Sequence, residues 1–244
     1  MRVQTVISLS DIHLPYESPR ALGAALAFVR DVKPDNIILN GDILDADSLS
    51  AHGDRPKERE FRVELEPVAG FLDHLRKIAP KAKLHFNEGN HETRFTRYID
   101  RVAPALVGLT DVQKLLDLKK RGISWLPYGQ VHFLGKLGFT HGTLHGVHYA
   151  SAHLNAYGCS LVVGHTHRTQ VFTRAVAGEA GSDKARGVFG NGCLCPISAD
   201  YVKGPTGWTN GFFYGTIELQ TGNFSPHVIT MSESRFWWGR TMYG

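Results

Sequence analysis

Residues 3–13 read Val3-Gln4-Thr5-Val6-Ile7-Ser8-Leu9-Ser10-Asp11-Ile12-His13, and residues 36–42 read Asn36-Ile37-Ile38-Leu39-Asn40-Gly41-Asp42. Each is a short apolar, β-rich run that stops on a carboxylate, Asp11 in the first and Asp42 in the second, as buried strands do where they meet a loop. Between them, Ser18-Pro19 opens a segment in which Ala21, Leu22, Ala25, Leu26, Phe28 and Val29 recur at helical spacing up to Val32. Strand, helix and strand in this order predict a β-α-β unit with a parallel sheet, and put both acidic residues at carboxyl ends of strands.

Working outward, residues 58–78 space Phe61, Leu65, Val68, Phe71, Leu72 and Leu75 for a long amphipathic helix, with Pro67 a kink or break within it and Pro80 its end. Residues 83–86 supply a third strand ahead of Asn87-Glu88-Gly89-Asn90-His91, and residues 92–118 read as one or two helices interrupted near Pro104. After Gly122 the texture changes to short strands at 123–126, 131–134 and 137–140, the last two joined at Gly135-Lys136, which predicts a second sheet. A helix over 147–156 leads to a strand at 160–163, followed by a strand at 171–176, a polar loop at 178–187, and strands at 212–219 and 227–231. No internal repeat, low-complexity tract or long linker divides the chain, so residues 1–244 are expected to form a single domain of layered α/β type.

The composition agrees. With 244 residues, 42% apolar and 20% charged, the chain suits a globular enzyme-sized domain rather than a disordered or fibrous one. A net charge of +4 and a pI near 9.0 suit anionic partners without requiring nucleic acid. Three cysteines, Cys159, Cys193 and Cys195, make neither a disulfide framework nor a zinc-finger pattern, and reduced thiols in a cytosol are expected. The amino-terminal apolar stretch is too short for a signal-peptide core, and no run approaches about 18 apolar residues, so a cytoplasmic protein without membrane spans is expected. Oligomeric state is not legible.

Five segments carry the chemistry: Asp11-Ile12-His13, Gly41-Asp42, Gly89-Asn90-His91-Glu92, Thr140-His141-Gly142 and Gly164-His165-Thr166-His167. Four of them follow strand-like runs and so converge on one edge. Asp11, His13, Asp42, Asn90, His141, His165 and His167 can each offer an oxygen or an imidazole nitrogen to a divalent cation. A pair of cations about 3.5–4 Å apart, sharing one carboxylate, activates a hydroxide and stabilises both oxygens of an in-line displacement at phosphorus. The glycines before Asp42, Asn90 and His165 fit tight strand-to-loop turns and let a substrate approach the backbone. Any one of these residues is more often a cap or a core hydrogen-bonding group; the ordered set is what points to a metal site.

The ordered set resembles the calcineurin-like metallophosphoesterase superfamily, with all five signature blocks present between residues 11 and 167. Its Gly-Asn-His-Glu and Gly-His-Thr-His-Arg blocks are similar to those of small single-domain members from phages and bacteria. The resemblance implies a four-layer αββα sandwich of two mixed sheets flanked by helices. It implies that Asp11, His13 and His167 bind one metal, that Asn90, His141 and His165 bind a second, and that Asp42 bridges. Manganese is expected, with iron, zinc, cobalt or nickel as alternatives. His91 remains for the phosphate, either protonating the leaving group or ordering the site. The activity implied is phosphoester hydrolysis by a metal-activated hydroxide.

Several neighbours stay open. Glu92 pairs with a basic group such as Arg94, or Arg94 instead grips a nonbridging phosphate oxygen. Arg168 suits phosphate binding or a surface salt bridge, Asp45 and Asp47 suit loop capping, and His145, His148 and His153 are expected at the surface or behind the ligands. The aromatic tail of Phe236, Trp237, Trp238 and Tyr243 is expected to pack back on the domain rather than stack on a base. Positive charge beside the site favours a phosphodiesterase or nuclease, so that the partner is a nucleotide or nucleic acid. A small-molecule phosphomonoesterase is the alternative, and a noncatalytic scaffold the third reading.

Overall fold

Val6 and Ile7 point to opposite faces of the first strand and are buried in different clusters, which is the physical origin of the layering. The structure, a computed structural model, describes residues 2–50, 60–175, 185–198 and 206–244. In chain order, β1 (Val3–Leu9), α1 (Pro19–Val32), β2 (Asn36–Asn40), α2 (Phe61–Ile78), β3 (Lys83–Asn87), α3 (Thr93–Val102), α4 (Val112–Leu115) and β4 (Ile123–Leu126) form the first half. They are followed by β5 (His132–Leu134), β6 (Leu137–Thr140), α5 (Tyr149–Tyr157), β7 (Ser160–Val163), β8 (Thr169–Ala175) and β9 (Ala185–Asn191). The chain closes with β10 (Gly211–Glu218), β11 (Phe224–Thr230), β12 (Phe236–Trp238) and β13 (Thr241–Tyr243).

One sheet runs β11-β10-β1-β2-β3-β4 and another β5-β6-β7-β9-β8. β1 to β4 are mutually parallel, with Val6 level with Asn36, Ile37 with Leu84 and Leu84 with Ile123. β10 then lies antiparallel to β1, and β11 antiparallel to β10. In the second sheet β6, β7 and β9 are parallel, and β5 and β8 flank them antiparallel. Ile7, Leu9, Ile37, Leu39 and Phe86 pack under Phe28 of α1 and Phe71, Leu72 and Leu75 of α2. Val6 and Ile38 meet Phe139, Val162, Phe189 and Phe213 between the sheets, and Tyr149, Ala150 and Leu154 of α5 cover Leu161, Val163 and Val188 outside the second. The order is helix, sheet, sheet, helix, the expected four-layer sandwich.

Three details differ from the sequence reading. Residues 123–126, expected to open the second sheet, complete the first instead, because the α3–α4 crossover returns the chain beside β3 in parallel. β9 begins at Ala185, inside the stretch 178–187 read as a loop, of which residues 178–184, like residue 176 of the expected strand before it, lie outside the described residues. Two glycines dilute its apolar pattern because a Cβ at Gly187 would press on Phe189 and Thr173, and one at Gly190 would overlap the Tyr149 hydroxyl. Pro67 sits inside α2, which continues to Ile78; residues 58 and 59 of the expected helix lie outside the described residues. Other boundaries shift by one to three residues, while Pro104 does separate α3 from α4. The aromatic tail is a β12–β13 hairpin whose Phe236 and Tyr243 stack on each other and meet Phe28 edge to face, leaving Trp237 69% exposed.

Where β3 faces β5, the His85 and His132 rings lie 4.2 Å apart, with His85 Nδ1 bonded to Ser124 Oγ at 2.7 Å. Burial, then His132 and Lys83, lower His85 to about 4, and burial lowers His132. The fold therefore favours the neutral rings, so the stability they contribute is complete above the unfolded value near 6.5 and lost as pH falls toward 4. In thermal melts between pH 7 and pH 4.5, the His85→Gln/His132→Gln variant is expected to lose about 2–4 °C less than the unsubstituted protein. Equal losses would remove this pair from the acid response.

Candidate metal centre

The loops that leave the strand ends turn through the left-handed region at unusual residues. Asp11 (φ 54°), His13 (φ 55°), Asp42 (φ 52°), His165 (φ 69°) and His167 (φ 57°) all have positive φ, so five of the seven candidate ligands occupy a conformation that L residues avoid. Backbone bonds between loops hold them there. The N–H of Asp11 donates to the carbonyl of Gly41 (3.1 Å), that of His13 to Asp42 (3.0 Å), and those of Leu194 and Cys195 to Asp11 (3.0 and 3.1 Å). The glycines before the ligands leave room for the site's own side chains. A Cβ on Gly41 would overlap the His141 ring, one on Gly89 would collide with Asp42, and one on Gly164 would lie 2.7 Å from Asp11 Oδ2.

Glu92 ties these turns together. Its Oε2 accepts from the N–H groups of Gly89 (2.8 Å) and Asp42 (3.0 Å), and its Oε1 from those of Ile43 (2.8 Å) and Leu44 (2.9 Å). Burial, then the neighbouring Asp42 charge, raise it to about 7 against the pull of these donors. Glu92 thus has no pairing with Arg94, which corrects that option of the sequence reading. Arg94 instead donates through Nη1 to the Asp45 carbonyl (2.9 Å) and through Nη2 to His91 Nε2 (3.1 Å).

The donor atoms gather on the two buried carboxylates. Asp42 Oδ2 lies 3.2 Å from His141 Nε2 and 3.9 Å from both His13 Nε2 and His91 Nε2. Asp11 Oδ1 lies 3.3 Å from His167 Nε2, which is itself 3.1 Å from His13 Nε2. Asn90 Oδ1 is 3.1 Å from His141 Nε2, and one donor each from Asp42, His141 and His165 falls within a 4.8 Å group. Asp11, His13, Asp42, Asn90, His141, His165 and His167 are therefore brought to one place.

Two of the inward nitrogens are aimed from behind. His141 donates through Nδ1 to the Asn40 carbonyl (2.9 Å), and His13 through Nδ1 to Asp45 Oδ1 (2.8 Å), so both present Nε2. Burial alone would lower His141 and His167, yet Asp42 and Asp11 respectively push each up to about 10. Burial opposes ionisation of Asp42 and Asp11 too, and the facing histidines still hold both below the usual carboxylate range. Burial lowers His165 to about 4 and, with His91, lowers His13. Carboxylates that attract protons this strongly onto imidazoles attract a divalent cation to the same lone pairs, and mixed carboxylate, carboxamide and imidazole donors fit such a cation.

Asp45 is more than the loop cap expected. Its Oδ1 accepts from His13 Nδ1 and also lies 3.0 Å from His91 Nδ1, and its carbonyl accepts from His91 Nδ1 at 2.8 Å. It falls three residues after Asp42, and that proximity was the available signal. Cys195 and Trp208 carried none, since both arrive from far along the chain. Cys195 Sγ sits 3.7 Å from His167 Nδ1, and with His13 and His167 it offers donor atoms that lie within 4.8 Å of one another. The Trp208 ring centroid lies 4.2 Å from that of His167. Arg168 donates to the Gly146 carbonyl (2.7 Å) and lies over Tyr149, so it braces a loop instead of facing the cluster. His145 and His148 are exposed, His145 with its ring 6.0 Å from that of His165; His153 is buried and bonded to the Tyr149 carbonyl, and Asp47 belongs to a one-turn helix.

Two sheets closed by helices, with a carboxylate and histidine cluster at the strand ends, define a metallophosphoesterase-type architecture. The chain belongs to the calcineurin-like phosphoesterase family, whose profile matches residues 5–169. It is 30% identical over 248 residues to the gene 54 protein of Mycobacterium phage L5, covering 95% of each chain. It is also similar to the solved structure of YfcE, a phosphoesterase from E. coli, with 18% identity over 91% of this chain and 98% of that one and a TM-score of 0.42. A further solved structure, vacuolar protein sorting 29 from Cryptosporidium parvum, has 14% identity over 94% and 98% and a TM-score of 0.44. Among the described residues, no helix is long and apolar enough to cross a membrane.

Replacing Glu92 with Gln keeps its size but sets an amide N–H₂ against backbone donors. Chemical denaturation is expected to show a loss of about 2–4 kcal/mol. A loss below about 0.5 kcal/mol would mean that the clamp contributes little.

Proposed function

We propose that this protein is a dinuclear-metal-dependent phosphoester hydrolase that acts on phosphodiesters, nucleotide or nucleic acid, with residues 1–244 as one domain. The observation that carries the proposal is the buried Asp42 Oδ2, 3.2 Å from His141 Nε2 and 3.9 Å from His13 Nε2. In this reading Asp11, His13 and His167 hold one cation, Asn90, His141 and His165 hold the other, and Asp42 serves both. Manganese suits these nitrogen and oxygen donors, with iron, zinc, cobalt and nickel as alternatives. When bound, such a pair supplies an activated water and neutralises charge on the phosphate oxygens.

The chain's own groups do the rest. Asn40 and Asp45 fix the tautomers of His141 and His13, so the donor set is preorganised. His91 is held through Nδ1 by Asp45, which leaves Nε2 to protonate the leaving oxygen. Arg94 can donate to that nitrogen only while it carries no proton; a phosphate oxygen that draws the guanidinium away frees Nε2 to take a proton from solvent, which it then passes to the leaving oxygen. His91 and Arg94 are thereby the substrate-binding pair. Net charge +4 and the Arg94 guanidinium suit an anionic phosphoester, and an extended polyanion such as nucleic acid gains most from them.

With manganese, an aryl phosphodiester is expected to be hydrolysed faster than its monoester, and Asp42→Asn to lose both bound metal and turnover. Monoester preference would replace the diester reading with a phosphomonoesterase and leave the metal assignment standing. A metal-supplemented protein that neither takes up metal nor hydrolyses either ester would make it a scaffold. His91→Ala is expected to lower kcat about 100-fold or more with metal content unchanged. Loss of metal in that variant would move His91 into the ligand set.

A further inference from the structure

His85 and His132 make a second imidazole cluster that shares no residue with the seven candidate ligands. His85 belongs to β3 of the first sheet and His132 to β5 of the second, so the pair spans the two sheets on the flank where β4 and β5 are the outer strands. The ring centroids are 4.2 Å apart and the planes are inclined at 41°. Each ring leaves its Nε2 buried with no hydrogen-bond partner among the described residues. Nearly all buried polar atoms are paired, so two orphans on adjoining rings call for an occupant.

The neighbouring groups favour a cation. His85 Nδ1 lies 2.7 Å from Ser124 Oγ; when its N–H donates there, Nε2 carries a bare lone pair, the way a metal-binding imidazole is aimed from its far side. Burial holds both rings toward the neutral form, which is the form that binds a metal. With metal–nitrogen bonds of about 2.0–2.1 Å, one ion reaches two nitrogens about 4 Å apart, and the rings are spaced on that scale. Both histidines are partly exposed, which gives an ion and its waters a way in from the flank. The Lys83 charge that also acts on His85 sits on an exposed residue, where solvent screens it.

We propose that His85 and His132 together bind one divalent transition-metal cation of the imidazole-preferring kind, zinc, copper or nickel, which pins the first sheet to the second at their outer flank. This site is independent of the phosphoester hydrolase reading and takes no part in that chemistry.

The test counts zinc per chain after equilibrium dialysis of the full-length protein, His85→Gln, His132→Gln and the double variant, with circular dichroism to verify the fold. Each single variant is expected to hold one zinc fewer than the unsubstituted protein, and the double variant to lose no more than either, because both rings serve one ion. Zinc is also expected to raise the Tm of the unsubstituted protein by about 2–4 °C more than that of the variants. Should His85→Gln fail to fold, His132→Gln on the outer strand decides alone. Equal zinc counts in the unsubstituted protein and His132→Gln would overturn the site and leave the space to an ordered water. A fall of one in each single variant and two in the double would overturn it as well, since each ring would then hold its own ion. Asp42→Asn is expected to lose zinc from the other centre yet keep the ion that His132→Gln removes, so the two readings fail separately.

Discussion

One buried carboxylate governs the geometry of the whole site. Glu92 collects four backbone N–H groups from the loops that follow β2 and β3, and so fixes the path of the chain through Asp42, Ile43 and Leu44. Asp42 would not otherwise rest at φ 52°, because the left-handed region costs a non-glycine residue about 1–2 kcal/mol. The same clamp brings Gly89 close enough to Asp42 that no side chain fits there, and it places Asn90 and His91 beside it. Local strain is thus carried by long-range hydrogen bonds, a common arrangement where side chains are held ready for chemistry.

Behind the inward-facing donors lies a ring of groups that determine where they point. Asn40 occupies one nitrogen of His141, Asp45 one of His13 and of His91, and Cys195 approaches the outer nitrogen of His167. Asp45 joins His13 to His91, so an alteration on either ring is felt by the other through a single carboxylate. Such supporting contacts preorganise a charged site and spare it rearrangement when substrate arrives.

Much of this was legible from residues alone. The β-α-β rhythm and the carboxylates at strand ends located Asp11 and Asp42, and the Gly-Asn-His-Glu and Gly-His-Thr-His blocks located the remaining candidates, all seven of which fall in one cluster. Glycine-rich β9 was hidden because its small residues answer to Tyr149 and Phe189 across space, which no periodicity records. Residues 123–126 carried strand character but not the identity of their partner, which the crossover helices decide. Trp208 reaches His167 through the register of loops separated by some forty residues, and Glu92 looked like a surface partner for Arg94 because sequence shows neighbours along the chain and not burial.

The place of β10 has an effect on how the molecule comes into being. The strand that closes the first sheet against β1 lies near the end of the chain, and Leu194 and Cys195, just before it, are what anchor the Asp11 carbonyl. An amino-terminal stretch emerging from a ribosome carries every signature block by residue 167 while its first strand still lacks a neighbour on one side. Contacts so distant in sequence form late and slowly. The signature residues are therefore translated well before the strands can bring them together, and assembly of the candidate site becomes one of the last events in the folding of the chain.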